Sequence, residues 1–581
     1  MNDPKRTGAP QDDPGADKPQ QKKAKPFAQR DAADVRTRTA FNLGRSRIAP
    51  MYADDGWMDR LWYDAPREDP TWPEVHTYTD AMSYEPGETV VFHSSTHAES
   101  WMLEIVRDGE HPETVHRCEG IPGRFSNTPK DAYKAGCDWP ESHRWRIPAD
   151  ARSGFYKVIS TCIRPDGSRY VQHHFFVVRP TAATQSSKLL MILPTSTWMA
   201  YNDWGGACSY YGVDGEAGNQ FTPQLSFHRP WTRGMVWLPE GAPRICAEPV
   251  PDPLAAPRYH IKDWAWSHGY GYFYAAAGWA QFDRHFVCWA DREGIALDMI
   301  TQTDLHLRPE ILARYKSVVI VGHDEYWSRE MRDNMDRFVE AGGKLARFAG
   351  NFLWQIRLED GGRRQVCYKD RAANEDPVRG TDQAHLLTDA WDSLNVKYPS
   401  ALTVGVSGAM GVFASWGDFA PRNSKGFTVY RPEHWVFEGT HLQYSEVFGA
   451  EANIFAYEVD GLDFTFRHGL PYPTGDDGAP ADRISILAMA LAVNTEGLFP
   501  VDGWRYYLGD SPMRGNAIRL YGDDSPESLA KTRHGSGMLV HMPKGQGEVV
   551  TAGTCEWLMG LKRNDFFTCR ITRNVLDRFT A

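Results

Sequence analysis

Three short, unbroken apolar runs, separated by helix-forming stretches, set the tightest limit on how this chain can fold. They are KLLMILPT (188–195), SVVIVG (317–322) and KLARFAGN (344–351). Runs of this length without polar alternation belong to strands buried on both faces, as in a parallel sheet covered by helices. Between the second and third lies SREMRDNMDRFVEAGG (328–343), with Ser328 placed as N-cap, Glu330 in the first turn and Gly342-Gly343 as the stop. Strand, helix and strand at this spacing form a βαβ unit, so the expected fold of the larger region is a doubly wound α/β sheet. GWAQFDRHFVCWADRE (278–293) reads as another helix, ending at Gly294. Further helices are expected around 482–493 and near 570–580, with Gly-rich hairpins among them.

Upstream the pattern differs. GETVVFHSS (87–95), SWMLEIVRD (100–108), FYKVISTCI (155–163) and RYVQHHFFVV (169–178) read as short strands. The last two flank Pro165-Asp166-Gly167-Ser168, a hairpin signal. In the second, Trp101, Leu103 and Ile105 share one face. An all-β sandwich over 50–180 is expected, preceded by a disordered tail over 1–45 rich in Pro, Gly, Asp, Lys and Gln. RPTAATQSS (179–187) reads as a linker into an α/β region spanning 186–581.

Charge and composition exclude several functions. A net charge of −11 without a dense Lys/Arg block argues against nucleic-acid or anionic-membrane partners. The longest nearly apolar run, Ile484 to Val493, is about half of what a bilayer requires. No apolar segment near the N-terminus resembles a secretion signal, and the nine Cys include no C-x-x-C pair. Reduced thiols and a cytoplasmic location are therefore expected. P-loop, H-E-x-x-H, G-x-S-x-G and dinucleotide glycine patterns are all missing, which counts against nucleotide-dependent and Ser-esterase chemistry.

Ligands of open parallel sheets bind beyond the carboxyl ends of the strands, and that rule selects three segments. The first is Gly322-His323-Asp324-Glu325-Tyr326-Trp327, where an imidazole and two carboxylates suit metal ligation or general acid–base work. The bland alternative is a helix-capping turn. The second is PTSTWMAYNDWGG (194–206), from which Tyr201 or Asn202 reaches the same cleft, or which simply packs a seam. The third is Asn351, either an amide that stabilises an oxyanion or a turn residue in the left-handed region. His260, His268 and His285 lie among aromatics and read as satisfied or surface histidines; Lys369 and Glu458 are polar residues in apolar settings.

At these residues the chain resembles the large (beta) subunit of N,N-dimethylformamidase, in its C-terminal catalytic region. The segments that carry the resemblance are PTSTWMAYNDWGG (194–206), VVIVGHDEYWS (318–328), RFVEAGGKLARFAGN (337–351), VCYKD (366–370), GEVVTAGTCEWLMGL (547–561) and ITRNVLDRF (571–579). The resemblance implies a class I glutamine-amidotransferase-like α/β fold lacking its Cys nucleophile, preceded by an immunoglobulin-like sandwich. It also implies a hydrolase of a small N-substituted amide, using one iron ion, Fe(III), held by two tyrosines and a glutamate. Carried over by position, Glu325 is the carboxylate ligand and Tyr201 the first phenolate. Tyr210 is the second, with Tyr211 as the neighbouring alternative. His323 matches the nearby histidine, Asn351 a substrate-facing amide, and Lys369 and Glu458 further active-site polar residues. An oligomer is expected; whether a separate small subunit joins it stays open. The chain is shorter than the family's large subunit, and the loop carrying the second tyrosine is compressed. Those departures count against dimethylformamide itself and make another amide or C–N bond at least an equal candidate.

Phenolate and carboxylate are hard anionic oxygen donors, and three of them would balance a ferric ion. Two rival readings stand beside this one. One is a non-catalytic scaffold of the same fold that binds a carbohydrate or small polar ligand. The other is a metal-free hydrolase using Asp324 with Glu325, although adjacent side chains after a strand point apart.

Overall fold

The three apolar runs form neighbouring strands at Leu189–Leu193, Ser317–His323 and Lys344–Gly350. Asp298–Thr301 flanks the first and Gly547–Ala552 the last, and all four pairings are parallel. Beyond Gly547–Ala552 the sheet turns antiparallel through His534–Lys544, Ser485–Val493, Phe427–Val429 and Val447–Phe448, nine strands in all. This computed structural model describes residues 64–66, 69–210, 222–239, 241–244, 264–265, 268–271, 273–413, 425–493 and 512–581. The expected tail over 1–45, the start of the β region, Tyr211 and His260 lie outside the described residues.

Alternate side chains of the central strands enter two separate cores. Leu189, Met191, Val319, Val321, Ala346 and Phe348 pack with Phe282, Phe286, Trp289, Ile571 and Val575 on one face. Leu190, Ile192, Val318, Ile320 and Leu345 pack with Met331, Met335 and Val339 on the other. Each buried Leu, Ile, Val, Met or Phe among these contributes roughly 1.5–3 kcal/mol by leaving water, which is why the runs show no polar alternation. Helix Arg329–Glu340 makes the crossover, capped as expected by Ser328, whose Oγ accepts from Met331 N at 3.2 Å. The 278–293 segment is helical, but it opens with a π turn at Trp279–Asp283 before Arg284–Arg292. The closing helix spans Phe566–Thr580.

One expected helix is a strand. Ser485–Val493 lies between His534–Lys544 and Phe427–Val429, hydrogen-bonded to both. Its alanines favour a helix locally, but a short apolar run satisfies its backbone equally well in a sheet, and the free edges on either side decide the outcome.

The upstream region is β-rich, with two sheets. Ser83–Tyr84, Arg169–Val178, Gly154–Ile163, Ser100–Arg107 and Glu113–Pro122 form one, in that order. Val75–Thr79, Thr89–Thr96 and Glu141–Arg146 form the other. Pairing is antiparallel except between Ser83–Tyr84 and Arg169–Val178. Val90 and Phe92 of the smaller sheet share one cluster with Trp101, Leu103, Ile105, Val158 and Phe176 of the larger. Among the described residues no helix is long and apolar enough to cross a membrane.

Candidate functional site

The strand Ser317–His323 ends in a turn that only glycine fits comfortably. Gly322 has φ +75°, and a Cβ there would lie 2.6 Å from the Phe282 side chain. Backbone bonds hold the next residues: Asp324 N donates to Gly350 O at 3.1 Å, and Glu325 N to Thr197 Oγ1 at 2.8 Å. Thr197 belongs to helix Thr195–Tyr201, which follows the neighbouring strand. The turn therefore sits where the ends of three parallel strands meet.

From it, Asp324 and Glu325 diverge. Asp324 turns inward to Arg347 Nε (2.9 Å), Trp327 Nε1 (2.6 Å) and Gln302 Nε2 (3.2 Å). Arg347 also reaches Asp460 at 2.7 Å, forming a fully buried ionic triad. That separation removes the geometry a carboxylate dyad of Asp324 with Glu325 would need.

Glu325 faces an oxygen-rich cluster. Tyr201 donates its hydroxyl to Oε2 at 3.0 Å, and Tyr210 Oη stands 2.9 and 2.8 Å from Oε1 and Oε2. The two phenol oxygens are 2.8 Å apart, and Tyr326 donates to Tyr210 at 2.9 Å. Trp354 Nε1 pins Oε1 at 2.8 Å. The Lys369 ammonium sits 3.4 Å from the centre of the Tyr210 ring.

Beside this cluster stands His323. Its Nδ1 donates to Ala276 O at 2.9 Å, which aims Nε2 at Glu458 (2.7 Å) and Glu325 (3.4 Å). Asn351 donates from Nδ2 to Glu458 Oε2, and the same nitrogen lies 3.4 Å from His323 Nε2. Asn351 has φ +65°, the left-handed turn that was one of its two expected readings. The seven residues carried over by the resemblance thus converge: Tyr201, Tyr210, His323, Glu325, Asn351, Lys369 and Glu458; Asn202 instead donates to Pro230 O at 3.0 Å and accepts from Thr232 N at 2.9 Å. His268 instead stacks on Trp264 at 4.3 Å, and His285 is a half-buried residue of helix Arg284–Arg292.

Burial, and then the Glu325 charge, push both the Tyr201 and Tyr210 phenols well above their ordinary range. Burial alone would raise Glu325, but hydrogen bonding and charge from His323, with the Lys369 charge, hold its carboxyl below the usual value. Burial opposes a charged His323, yet Glu458 and Glu325 outweigh it and lift the imidazole to about 10. Burial also raises Glu458 and lowers Lys369. Two phenols and a carboxylate crowded within 3.0 Å suit a hard cation, which would supply the positive charge this oxygen set lacks.

A second donor set adjoins it. Ligand atoms of His323, Glu458 and Cys555 lie within 4.8 Å of one another, all in buried residues, and could hold a metal ion. Burial, then the Glu458 charge, raises the Cys555 thiol well above its usual range, so it is a poor anion without a metal. Sequence reasoning missed Cys555, Thr197, Trp354 and the contact made by Tyr326. Cys555 does follow the parallel strand Gly547–Ala552, which places it at the same sheet edge.

Residues 102–569 match the family N,N-dimethylformamidase beta subunit-like, C-terminal. The chain belongs to this family. No curated protein matches it. Among solved structures, the sporulation control protein Spo0M from Bacillus subtilis is 16% identical, with a TM-score of 0.14, over 19% of this chain and 50% of its own. Murine CRIg is 13% identical over 18% of this chain and 96% of its own, with a TM-score of 0.13. The PmoD soluble domain from a Methylocystis species is 10% identical over 20% and 95%, also with a TM-score of 0.13. These likenesses are too slight to bear on fold or function. Family membership suggests an amidohydrolase-like activity, and the buried donors are compatible with metal assistance.

Proposed function

We propose that this chain hydrolyses a small N-substituted amide with the help of one ferric ion held by Tyr201, Tyr210 and Glu325. In this reading the β-rich region is an immunoglobulin-like sandwich and the larger region a class I glutamine-amidotransferase-like fold. The observation that carries the proposal is the convergence of two phenol oxygens on one carboxylate within 3.0 Å, at the carboxyl edge of a parallel sheet. What such an ion supplies is Lewis acidity toward an amide carbonyl and toward water.

The chain's own groups do the rest. Trp354 fixes Glu325 in one orientation, and the Lys369 ammonium packs over the Tyr210 ring and helps to place that phenol. Asn351 presents an N–H between His323 and Glu458, where it can steady a substrate oxygen. His323 holds its exchangeable proton at Nε2, because Nδ1 is committed to Ala276 O. Nε2 faces Glu458 at 2.7 Å, so a proton held there is placed for transfer to the departing amine.

The test is metal content and visible absorption after reconstitution with ferric iron, followed by an amide-substrate screen. One iron per chain, a broad visible band and amide turnover are expected. Tyr201→Phe should lose band and turnover while keeping the same urea midpoint. Full turnover in Tyr201→Phe would sink the mechanism; a chain that takes up no iron and turns over no amide would favour the binding-scaffold reading.

A further inference from the structure

The N-terminal β region reaches the candidate site indirectly: Phe155 and Phe175 pack on Trp198 of helix Thr195–Tyr201, and a second route runs through Trp279. Trp279 opens the π turn Trp279–Asp283 and is fully buried. Its indole stacks on Phe155 of strand Gly154–Ile163, with centroids 4.0 Å apart and planes within 2°. Its Nε1 donates to Asp108 Oδ2 at 2.8 Å. The same oxygen accepts from Arg284 Nε at 3.0 Å, and Asp108 N donates to Phe155 O at 2.9 Å. Two residues of the β region therefore grip one face and one edge of a single side chain.

On its other side, that turn meets the catalytic strand. Phe282 fills the space beside Gly322, where a Cβ would come within 2.6 Å of it, and its ring lies 6.1 Å from that of His323. Just upstream, Ala276 O accepts from His323 Nδ1 at 2.9 Å. Gly278, with φ +113°, brings the chain against the Met235 backbone, leaving no room for a Cβ. Neither carboxyl oxygen of the buried Asp283 has a hydrogen-bond partner among the described residues, and the turn has no side-chain cap. π turns are rare within α-helices, and the contacts of Trp279 with Asp108 and Phe155 help to hold this one.

We propose that Asp108 and Phe155 are positioning residues for His323: by seating Trp279 they fix the segment from Ala276 to Asp283, and through the Ala276 carbonyl they fix the imidazole. The β region is then part of the reacting apparatus rather than an appended module. The proposal rests on the reading of His323 as proton donor. A displacement of about 1 Å in such a donor lowers a rate by as much as about 100-fold.

The experiment uses the full chain and four variants. Asp108→Ala removes the clamp, Asp108→Asn keeps an oxygen acceptor for Trp279, and Trp279→Phe keeps the stack but removes the donor. Ser153→Ala is the control, since Ser153 Oγ accepts from Met299 N at 2.8 Å elsewhere along the same contact. Asp108→Ala should lower kcat about 10- to 100-fold with KM within about threefold. Trp279→Phe should move kcat in the same direction by a smaller factor. Asp108→Asn should recover most of the loss, and Ser153→Ala should stay within about twofold of the parent. Hydrogen exchange read by mass spectrometry, without metal or substrate, should show lost protection over 273–283 and 317–325 in Asp108→Ala but not in Ser153→Ala. Unchanged kcat and exchange in both Asp108→Ala and Trp279→Phe overturn the proposal, as does an equal loss in Ser153→Ala. If the parent turns over no amide, the functional reading fails while the exchange measurement still decides the coupling.

Discussion

Replacing Arg347 by Met tests the framework beneath the site. The guanidinium is fully buried, with Nε 2.9 Å from Asp324, Nη1 2.7 Å from Asp460 and a further bond to Ala349 O at 3.0 Å. At an effective dielectric constant of about 20, each carboxylate at this range attracts it by roughly 6 kcal/mol. Most of that attraction offsets the cost of burying three charges, so the net value of the triad is small. Removing only the cation is a different matter, because it strands two carboxylates. Asp324 keeps its bonds from Trp327 and Gln302, and Asp460 keeps those from the Asn351 and Phe352 amides. The expected loss is therefore about 3–5 kcal/mol, read as the shift in urea midpoint at pH 7. The deficit should shrink toward pH 5. Burial already raises Asp460 even with Arg347 present, so without the arginine it takes up a proton more readily than the unfolded chain does. Combining Arg347→Met with Asp324→Asn and Asp460→Asn should recover more than half of the loss, since no stranded charge remains. A loss under about 1 kcal/mol, or a triple variant no better than the single one, would refute this account of the triad.

Other consequences can be measured independently. Gly322→Ala combines a left-handed backbone with a clash against Phe282 and should cost about 2–4 kcal/mol in urea unfolding; a cost under about 1 kcal/mol would mean the turn relaxes freely. Burial raises Glu548, but bonds from His541 and Lys344 and the charges of Lys344 and Arg578 outweigh it and hold its carboxyl at about 2. Its contribution, about 2–3 kcal/mol after allowance for solvent, is fully present above about pH 4.5 and is lost as pH falls toward 2. Glu548→Gln should therefore be less stable at pH 7 and lose less than the parent between pH 4.5 and 2. Equal acid limbs would contradict that assignment. Cys555→Ser should leave iron affinity within about threefold if the tyrosines and Glu325 hold the ion; a loss above about tenfold, by competition with a chelator, would shift the site to His323, Glu458 and Cys555.

How far the local pattern reaches is clear from particular segments. Apolar runs without alternation mark strands with two buried faces, so Leu189–Leu193, Ser317–His323 and Lys344–Gly350 were legible, as was the Ser328 cap between the last two. The rule that ligands sit beyond parallel strand ends then selected His323, Glu325, Tyr201 and Asn351 without any contact being known. The run at Ser485–Val493 carried no such information, since helix and strand bury it equally well.

What the sequence alone determined was which segments form the central strands and which of their residues lie at the carboxyl edge of the sheet, because burial of alternate side chains is a local property of the chain. Tertiary structure decided how those residues meet. Glu458 comes from a strand paired with Ser407–Phe413, Tyr210 from a loop after Cys208, and Cys555 from beyond the last parallel strand. The divergence of Asp324 from Glu325, and the grip of Asp108 on Trp279, likewise depend on partners far away in the chain. Hydrogen bonds and ion pairs act over a few ångströms, so only the folded arrangement of strands, turns and loops brings such groups within reach.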